Sequence, residues 1–384
     1  METFLRGSCD AMCPKSEIDL RTKEKLLHFY ELRPDSKTEP DPFRMVKEFS
    51  RSAAGVKQPK HWEIRTAKAL KKTVTYLLTK IFQDERRPYS FKYDFIFDRL
   101  RAVRQEVVMQ NLSADNTLHT LAATTRFLAY SAYHLCEAPV NEFDPKICQS
   151  HLQECVKKVL RCYDDLDEQS SVYDDRGRIE MEGLYLMLNL GNTESINRGI
   201  TLRIDLKKHL IHQLSMNIEY LRGNFYRVLI GVRKLPPLEA AIVAVKLPEI
   251  RRQLLLRFSI AFNSKVLTVP LEWIGHVLQY QENEAVALID DCKYYGLQIV
   301  DQPKAPSSQS CVVETKDDWW DSEGELCVAT EKQNNLEQKS VKFERSSFDG
   351  DKLATRPKRV EFVDQTLGEI VTISGTILRK LDKQ

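Results

Sequence analysis

Cys148, His151 and Cys155 stand at i, i+3 and i+7 of one periodic stretch, so on a helix they share a face and could present three soft ligands to a metal ion. His134 and Cys136 lie just upstream. The spacing matches no finger or ribbon pattern. Cys148, Cys155 and Cys162 also step by seven, which is how small apolar side chains line a packed seam, and free cysteine is among the most buried residue types. We read these thiols as packing residues. His209 and His212, at i and i+3, would share a helix face, but no acidic pair at matching spacing accompanies them, and they read as surface or hydrogen-bonded side chains. No glycine-rich phosphate loop, nucleophile elbow or paired-histidine metalloprotease motif is present, so the residues name no catalytic site, no cofactor and no metal.

Binding chemistry is better represented. Lys342, Arg345, Lys352, Arg356, Lys358 and Arg359 fall within eighteen positions and could contact phosphates without sequence preference. A second basic stretch, Lys57, Lys60, His61, Arg65, Lys68, Lys71 and Lys72, places Arg65, Lys68 and Lys72 on one helical face, suited to nucleic acid, to an acidic peptide or to solvent alone. Trp319 and Trp320, set among acidic residues, look like a linear motif that anchors in a partner groove or folds back on the chain's own surface.

The elements that must position these groups are helices. The chain has 384 residues, 42% hydrophobic and 29% charged, with a net charge of +2, enough apolar matter for a core and too little charge to imply a nucleic-acid partner in bulk. Fourteen glycines argue against a nucleotide-binding α/β sheet. Nine scattered cysteines and no apolar leader point to reduced thiols in cytosol or nucleus, and no apolar run approaches the ~18 residues of a membrane span.

The spacing predicts a helix over 88–111, with Phe95, Leu100, Val103 and Val107 on one side, and another over about 61–82. Asp144-Pro145 predicts a helix start, followed by Leu152, Cys155, Val156, Val159, Leu160 and Tyr163 at helical spacing. From about 16 to 260 helix follows helix with no fixed period, which gives an irregular α-solenoid of helical pairs. After Asn263 the pattern is strand (265–269), helix from Pro270, polar turn, helix, Gly296, strand (297–300), the order of a winged helix. Its second helix carries Glu284, Asp290 and Asp291 against Lys293, a poor surface for phosphate and a better one for protein. The expected organisation is a disordered lead over 1–11, a helical domain over 12–262, a winged helix from 263–300 and 339–373 with Val341 to Glu344 as its returning strand, a disordered acidic insertion over 301–338, and a tail over 374–384.

Five ordered blocks carry a resemblance. DFIFDRLRAVRQEVVMQ (94–110), with Asp98, Arg99, Arg101, Arg104 and Gln105, resembles the signature helix of the Sac-three/GANP family. Met12, Cys13, Pro14, Glu17 and Arg21 resemble its opening block, and DPFRMVKEFSRSAAG (41–55), with Arg51, the next. Thr125-Arg126-Phe127-Leu128 continues the similarity, and Glu182-Gly183-Leu184-Tyr185 does so more loosely, since the family usually has Glu-Phe-Arg there. The similarity covers about residues 10–300, and Arg359 to Ile373 resembles the closing block.

The resemblance implies a PCI-type architecture and a non-enzymatic scaffold of a TREX-two-like complex in nuclear mRNA export. Its partners would be a PCI-type protein of the PCID-two/Thp-one kind, a small acidic DSS-one/Sem-one-type peptide, and RNA or DNA. Adjacent winged helices would build one basic surface, to which Lys265 and the tail cations contribute. No phenylalanine-glycine repeats, centrin-binding helix or acetyltransferase-like domain is visible, so a short member is expected. Short animal members imply the alternative, a cytoplasmic, centrosomal and spindle scaffold in centrosome duplication and spindle assembly.

Overall fold

The structure, a computed structural model, describes residues 4–36, 38–51, 58–168, 175–264, 266–281, 284–301, 339–343, 349 and 352–367. Lys57, Lys265, Arg345, Trp319 and Trp320 lie outside these residues, as do nearly all of the predicted acidic insertion and all of the tail.

The fold is mainly α. By contact the chain divides into two units: the first takes Met1–Asn224, Gly231–Leu247 and Arg356–Gln384, the second Phe225–Ile230 and Pro248–Thr355. In the first unit the helices are α1 (Lys15–Lys23), α2 (Ala67–Tyr76, continued by a π-helical turn at Leu77–Ile81), α3 (Tyr89–Met109), α4 (Ala114–His134), α5 (Pro145–Glu168), α6 (Asp175–Leu188), α7 (Thr193–Thr201), α8 (Ile204–His209) and α9 (Ile211–Leu221). Most of α10 (Phe225–Val232) belongs to the second unit, whereas α11 (Pro237–Ala244) belongs to the first. Sequence neighbours pack on one another, α4 on α5, α5 on α6, α6 on α7 and α9, and α11 returns to lie against α4 and α6. Serial packing of this kind is what degenerate helical pairs produce.

Local chemistry sets the element ends. Asp144 Oδ1 accepts the Lys146 and Ile147 amides at 2.8 and 3.2 Å, capping α5 as its Asp-Pro start predicts. The predicted helix over 61–82 is shorter than its periodicity suggests: a 3-10 turn covers His61–Glu63, and Thr66 caps α2 by accepting the Ala69 amide at 3.2 Å. On α5, Cys148, Cys155 and Cys162 are buried with Leu152, Val156, Val159 and Leu160.

Residues 7–9 are not a loose lead. Gly7 donates its amide to Gln110 Oε1 at 2.9 Å, Ser8 and Cys9 donate theirs to His61 and Ile64, and Cys9 accepts from Thr66. A Cβ on Gly7 would lie 2.5 Å from the Ile64 carbonyl oxygen, so the close approach requires glycine. The closing segment also docks in this unit: Tyr133 of α4 accepts the Val360 amide at 2.6 Å and donates to the Val360 carbonyl at 3.0 Å.

The second unit holds most of α12 (Leu247–Ala261), then β1 (Thr268–Pro270), α13 (Leu271–Val277), α14 (Ala285–Tyr294), β2 (Gln298–Asp301) and β3 (Lys339–Lys342). β3 is central and pairs antiparallel with both neighbours, Val269↔Val341 on one side and Ile299↔Val341 on the other. Gly296, at φ 81°, closes α14: it donates to Lys293 O, and Leu297 donates to Cys292 O. Arg251 of α12 spans the turn after α13, donating to the Leu278 and Gln279 carbonyls at 2.9 Å each.

A buried carboxylate lies where α11 meets its neighbours. Glu239 is 2% exposed, and burial pushes its pKa up to about 7. Gln213 donates Nε2–H to it at 2.8 Å, while Gln213 Oε1 is buried with no partner. The folded state therefore holds the proton more tightly than the unfolded chain, and stability falls as pH rises from about 4.5 to about 7. Glu239→Gln should abolish that fall, because its amide donates to Gln213 Oε1 at every pH. The variant should exceed the wild type above pH 7 by about 3 kcal/mol, read by urea unfolding at pH 5 and pH 8. An identical pH profile in the two proteins would refute the assignment.

Candidate functional site

The signature residues lie at the junction of α3 with the segment that precedes α2. α3 is buried through Phe95, Leu100, Val103 and Val107, and equally through Arg99 and Glu106, which are 4% and 2% exposed. Charges taken out of water at this depth need partners, and the preceding segment supplies them. Arg99 pairs with Glu48 at 2.8 Å, Glu31 at 3.3 Å and the adjacent Asp98. Arg21, projecting from α1, pairs with Glu31, with Glu48 at 3.0 Å and with Glu17 at 3.6 Å. Its remaining donors reach the Leu26 and Val46 carbonyls.

One turn and more along α3, Glu106 accepts Arg65 Nε at 2.8 Å and Lys47 Nζ at 2.6 Å. Arg65 is fully buried, donates also to the Met12 carbonyl and precedes the helix. This corrects the reading of Arg65, Lys68 and Lys72 as one exposed face: the Thr66 cap excludes Arg65 from α2, and Glu106 draws it inward. Lys68 and Lys72 are exposed, and Lys71 stands 3.9 Å from Asp115.

Backbone groups complete the junction. Glu31 accepts the Val46 and His28 amides, Glu17 accepts Glu48 N at 2.9 Å, and Asp98 accepts Phe49 N at 3.2 Å. Gln105 donates to Ser50 O at 2.9 Å. Burial raises the pKa of Glu17 and of the Cys13 thiol. His28, stacked 4.4 Å from Phe95, is held down to about 4 by burial and Arg99, so its ring is a neutral aromatic surface. Met12, Cys13 and Pro14 are buried beside these groups.

The outer face of α3 differs. Arg101 stacks on Phe49 at 3.8 Å from the ring centre, and Arg51 follows in the exposed strand of chain beside it. Arg104 meets His151 Nδ1 at 2.9 Å and pairs with Glu154 at 2.6 Å.

The metal-like residues separate. His151 turns to Arg104, with burial and that guanidinium lowering its pKa. Cys148 donates to the Leu128 carbonyl, and burial pushes its thiol up to about 12 and that of Cys155 up to about 11. His134 stacks on Tyr130 and meets Tyr89 edge to face. Among the described residues no group of three His, Cys, Asp or Glu side chains is placed to hold a metal. His209 and His212 do not share a helix: the first ends α8, and the second, on α9, meets the Gly231 carbonyl at 2.9 Å.

The tail cations are divided between the units. Lys342, in β3, and Lys352, which donates to the Tyr294 carbonyl and pairs with Asp349 at 3.5 Å, belong to the second. Arg356, Lys358 and Arg359 belong to the first, where Arg359 pairs with Asp364 at 3.1 Å and the other two are exposed.

Glu31, Lys47, Glu48, Arg65 and Glu106 escaped the sequence reading as partners of the signature. Their sequence separations run to tens of residues, so no local period reports them. A charged residue at the apolar phase of α3, as Arg99 and Glu106 are, was the available sign.

Glu106→Gln removes the negative charge that Arg65 and Lys47 share. Leaving a buried guanidinium uncompensated costs about 3–5 kcal/mol, so the variant should lose about that much in urea unfolding and be cleaved faster by trypsin within residues 4–66. Unchanged stability would show that Glu106 is not the anchor.

A model of the SAC3/GANP family matches residues 12–301. The chain is 27% identical over 324 residues to Protein xmas of Drosophila melanogaster, an alignment covering 81% of this chain and 15% of that protein. It is 25% identical to SAC3 family protein 1 of Schizosaccharomyces pombe (78% and 30%) and 23% identical to SAC3 family protein B of Arabidopsis thaliana (77% and 18%). It thus spans less than a third of the length of each of these relatives. The match runs through the opening block, the α3 hub and the helices that follow, and the chain belongs to the SAC3/GANP family.

Proposed function

We propose that this chain is a non-enzymatic scaffold of a TREX-two-like complex in nuclear mRNA export. It pairs with a PCI-type protein of the PCID-two/Thp-one kind and a small acidic peptide of the DSS-one/Sem-one kind, and it contributes to RNA or DNA binding. The observation that carries this reading is the family match over residues 12–301. The order β1–α13–α14–β2–β3 with β3 central supports reading the second unit as a winged helix, the module through which PCI-type proteins pair. On α14, Asp290 is exposed and Asp291 accepts the Tyr280 hydroxyl, a surface suited to protein more than to phosphate. The titratable groups with large shifts are buried side chains held by packing and internal hydrogen bonds, which fits a scaffold.

Exposed Arg356 and Lys358 are the tail cations best placed to reach a phosphate backbone. Affinity purification of the tagged chain should recover a PCI-type protein and a small acidic peptide in the nuclear fraction. Recovery of neither would overturn the scaffold reading, and accumulation at centrosomes and spindle poles through mitosis would move the chain to the alternative role. Reversing the charges at Arg356 and Lys358 should weaken retention of a uridine oligomer about tenfold near 0.1 M salt; unchanged retention would remove the tail from the nucleic-acid surface.

A further inference from the structure

The buried half of the signature is neutralised charge by charge, and on the outer half Arg104 is paired with Glu154 while Arg101 has no ion pair among the described residues. Arg101 lies over the Phe49 ring at 3.8 Å and 5.8 Å from the centre of the Phe97 ring. Stacking restrains the guanidinium and leaves its N–H groups without a partner among the described residues, an arrangement that suits a phosphate oxygen. The hydrogen bonds from Gln105 to Ser50 O and from Phe49 N to Asp98 hold residues 49 and 50 against α3, so that Arg51 emerges next to Arg101. Among the described residues neither Arg51 nor Arg101 makes a hydrogen bond or ion pair. Arg104, next along α3, is already paired with Glu154 and meets His151 on α5. The acids nearby are engaged: Asp98 by Arg99 and the Phe49 amide, Glu154 by Arg104. Burial holds Arg101 below its ordinary pKa, with the attraction of Asp98 opposed by the like charges of Arg51 and Arg104.

We infer that Arg51 and Arg101 form a phosphate-binding site for single-stranded RNA, separate from the basic tail. Two guanidiniums without carboxylate partners among the described residues, one of them pre-oriented on the half-buried Phe49 ring, favour a phosphodiester chain over a peptide, because forked donors match phosphate oxygens. This inference rests on the reading of the chain as a scaffold that contacts RNA.

The test is fluorescence anisotropy of the full chain with a fluorescein-labelled 15-nucleotide uridine oligomer, and in parallel with a labelled polyglutamate peptide. Arg51→Ala/Arg101→Ala should weaken RNA binding about tenfold at 0.1 M salt and lower the salt slope by about 1.4, the loss of two single-strand phosphate contacts. Arg51→Glu alone, at an exposed side chain with no hydrogen bond or ion pair among the described residues, should weaken it in the same direction and secures the test if the double variant misfolds. Wild-type affinity in both folded variants overturns the inference, as does a loss confined to polyglutamate. Charge reversal at Arg356 and Lys358 runs beside them. Weakening by the tail variant alone removes this site and leaves the proposed function standing, weakening by the arginine variants alone does the reverse for the tail, and no RNA binding by the wild-type chain removes both.

Discussion

A guanidinium buried in protein must be met by a carboxylate, and the first unit is arranged around that requirement. Arg21, Arg65 and Arg99 are each less than 5% exposed, and Glu31 and Glu106 face them at 0% and 2%. Neither carboxylate could stand there alone, since desolvating an unpaired charge costs several kcal/mol. The pairing compels four separate stretches, α1, the turn at 28–31, the strand of chain at 45–51 and the residue before α2, to converge on one face of α3. Such a network is not in itself more stabilising than an apolar core of the same volume. What it adds is register, because each fork accepts only the partner whose oxygens lie in its plane.

The same helix is thereby given two surfaces of different character. Inward, cations and carboxylates cancel, and backbone amides take the remaining lone pairs, as at Glu31 and Glu17. Outward, Arg101 rests on Phe49, a residue that the network itself has carried into place through Asp98 and Gln105. A dense signature of Asp, Arg, Arg, Arg and Gln thus holds both a structural clasp and an exposed cationic face. The division between them follows the helical phase, with Arg99 and Glu106 inside, Arg104 turned to α5 and Arg101 half-exposed on Phe49.

A second charged cluster shows the same logic further along. Arg198 reaches Asp164 at 3.0 Å and Glu182 at 2.7 Å, joining α5, α6 and α7. Around Glu239 the rule is met differently. Among the described residues no cation pairs with that carboxylate, so burial raises its pKa toward neutrality and Gln213 supplies one donor. Lys246 is the converse case, its charge softened to about 8 by burial while it donates to the Met187 and Leu188 carbonyls at the end of α6.

Much of the fold was legible because it is periodic and local. The span of α3, the capped start of α5, the buried seam of Cys148, Cys155 and Cys162, and the glycine stop of α14 each depend on residues a few positions apart, and side chains at those spacings meet whatever surrounds them. The ordered blocks that mark the family were likewise a property of the chain itself. What the linear order left open was every pairing across tens of residues. Arg65 read as part of a basic face because its neighbours are lysines, yet Glu106, forty-one positions away, takes it into the core. Residues 7–9 read as loose because their partners at 61–66 are distant. The basic tail read as one cluster, and its cations fall in two units. Spacing along a chain determines which side chains share a face; only the packed structure decides which faces meet, because burial and charge pairing are settled by neighbours in space.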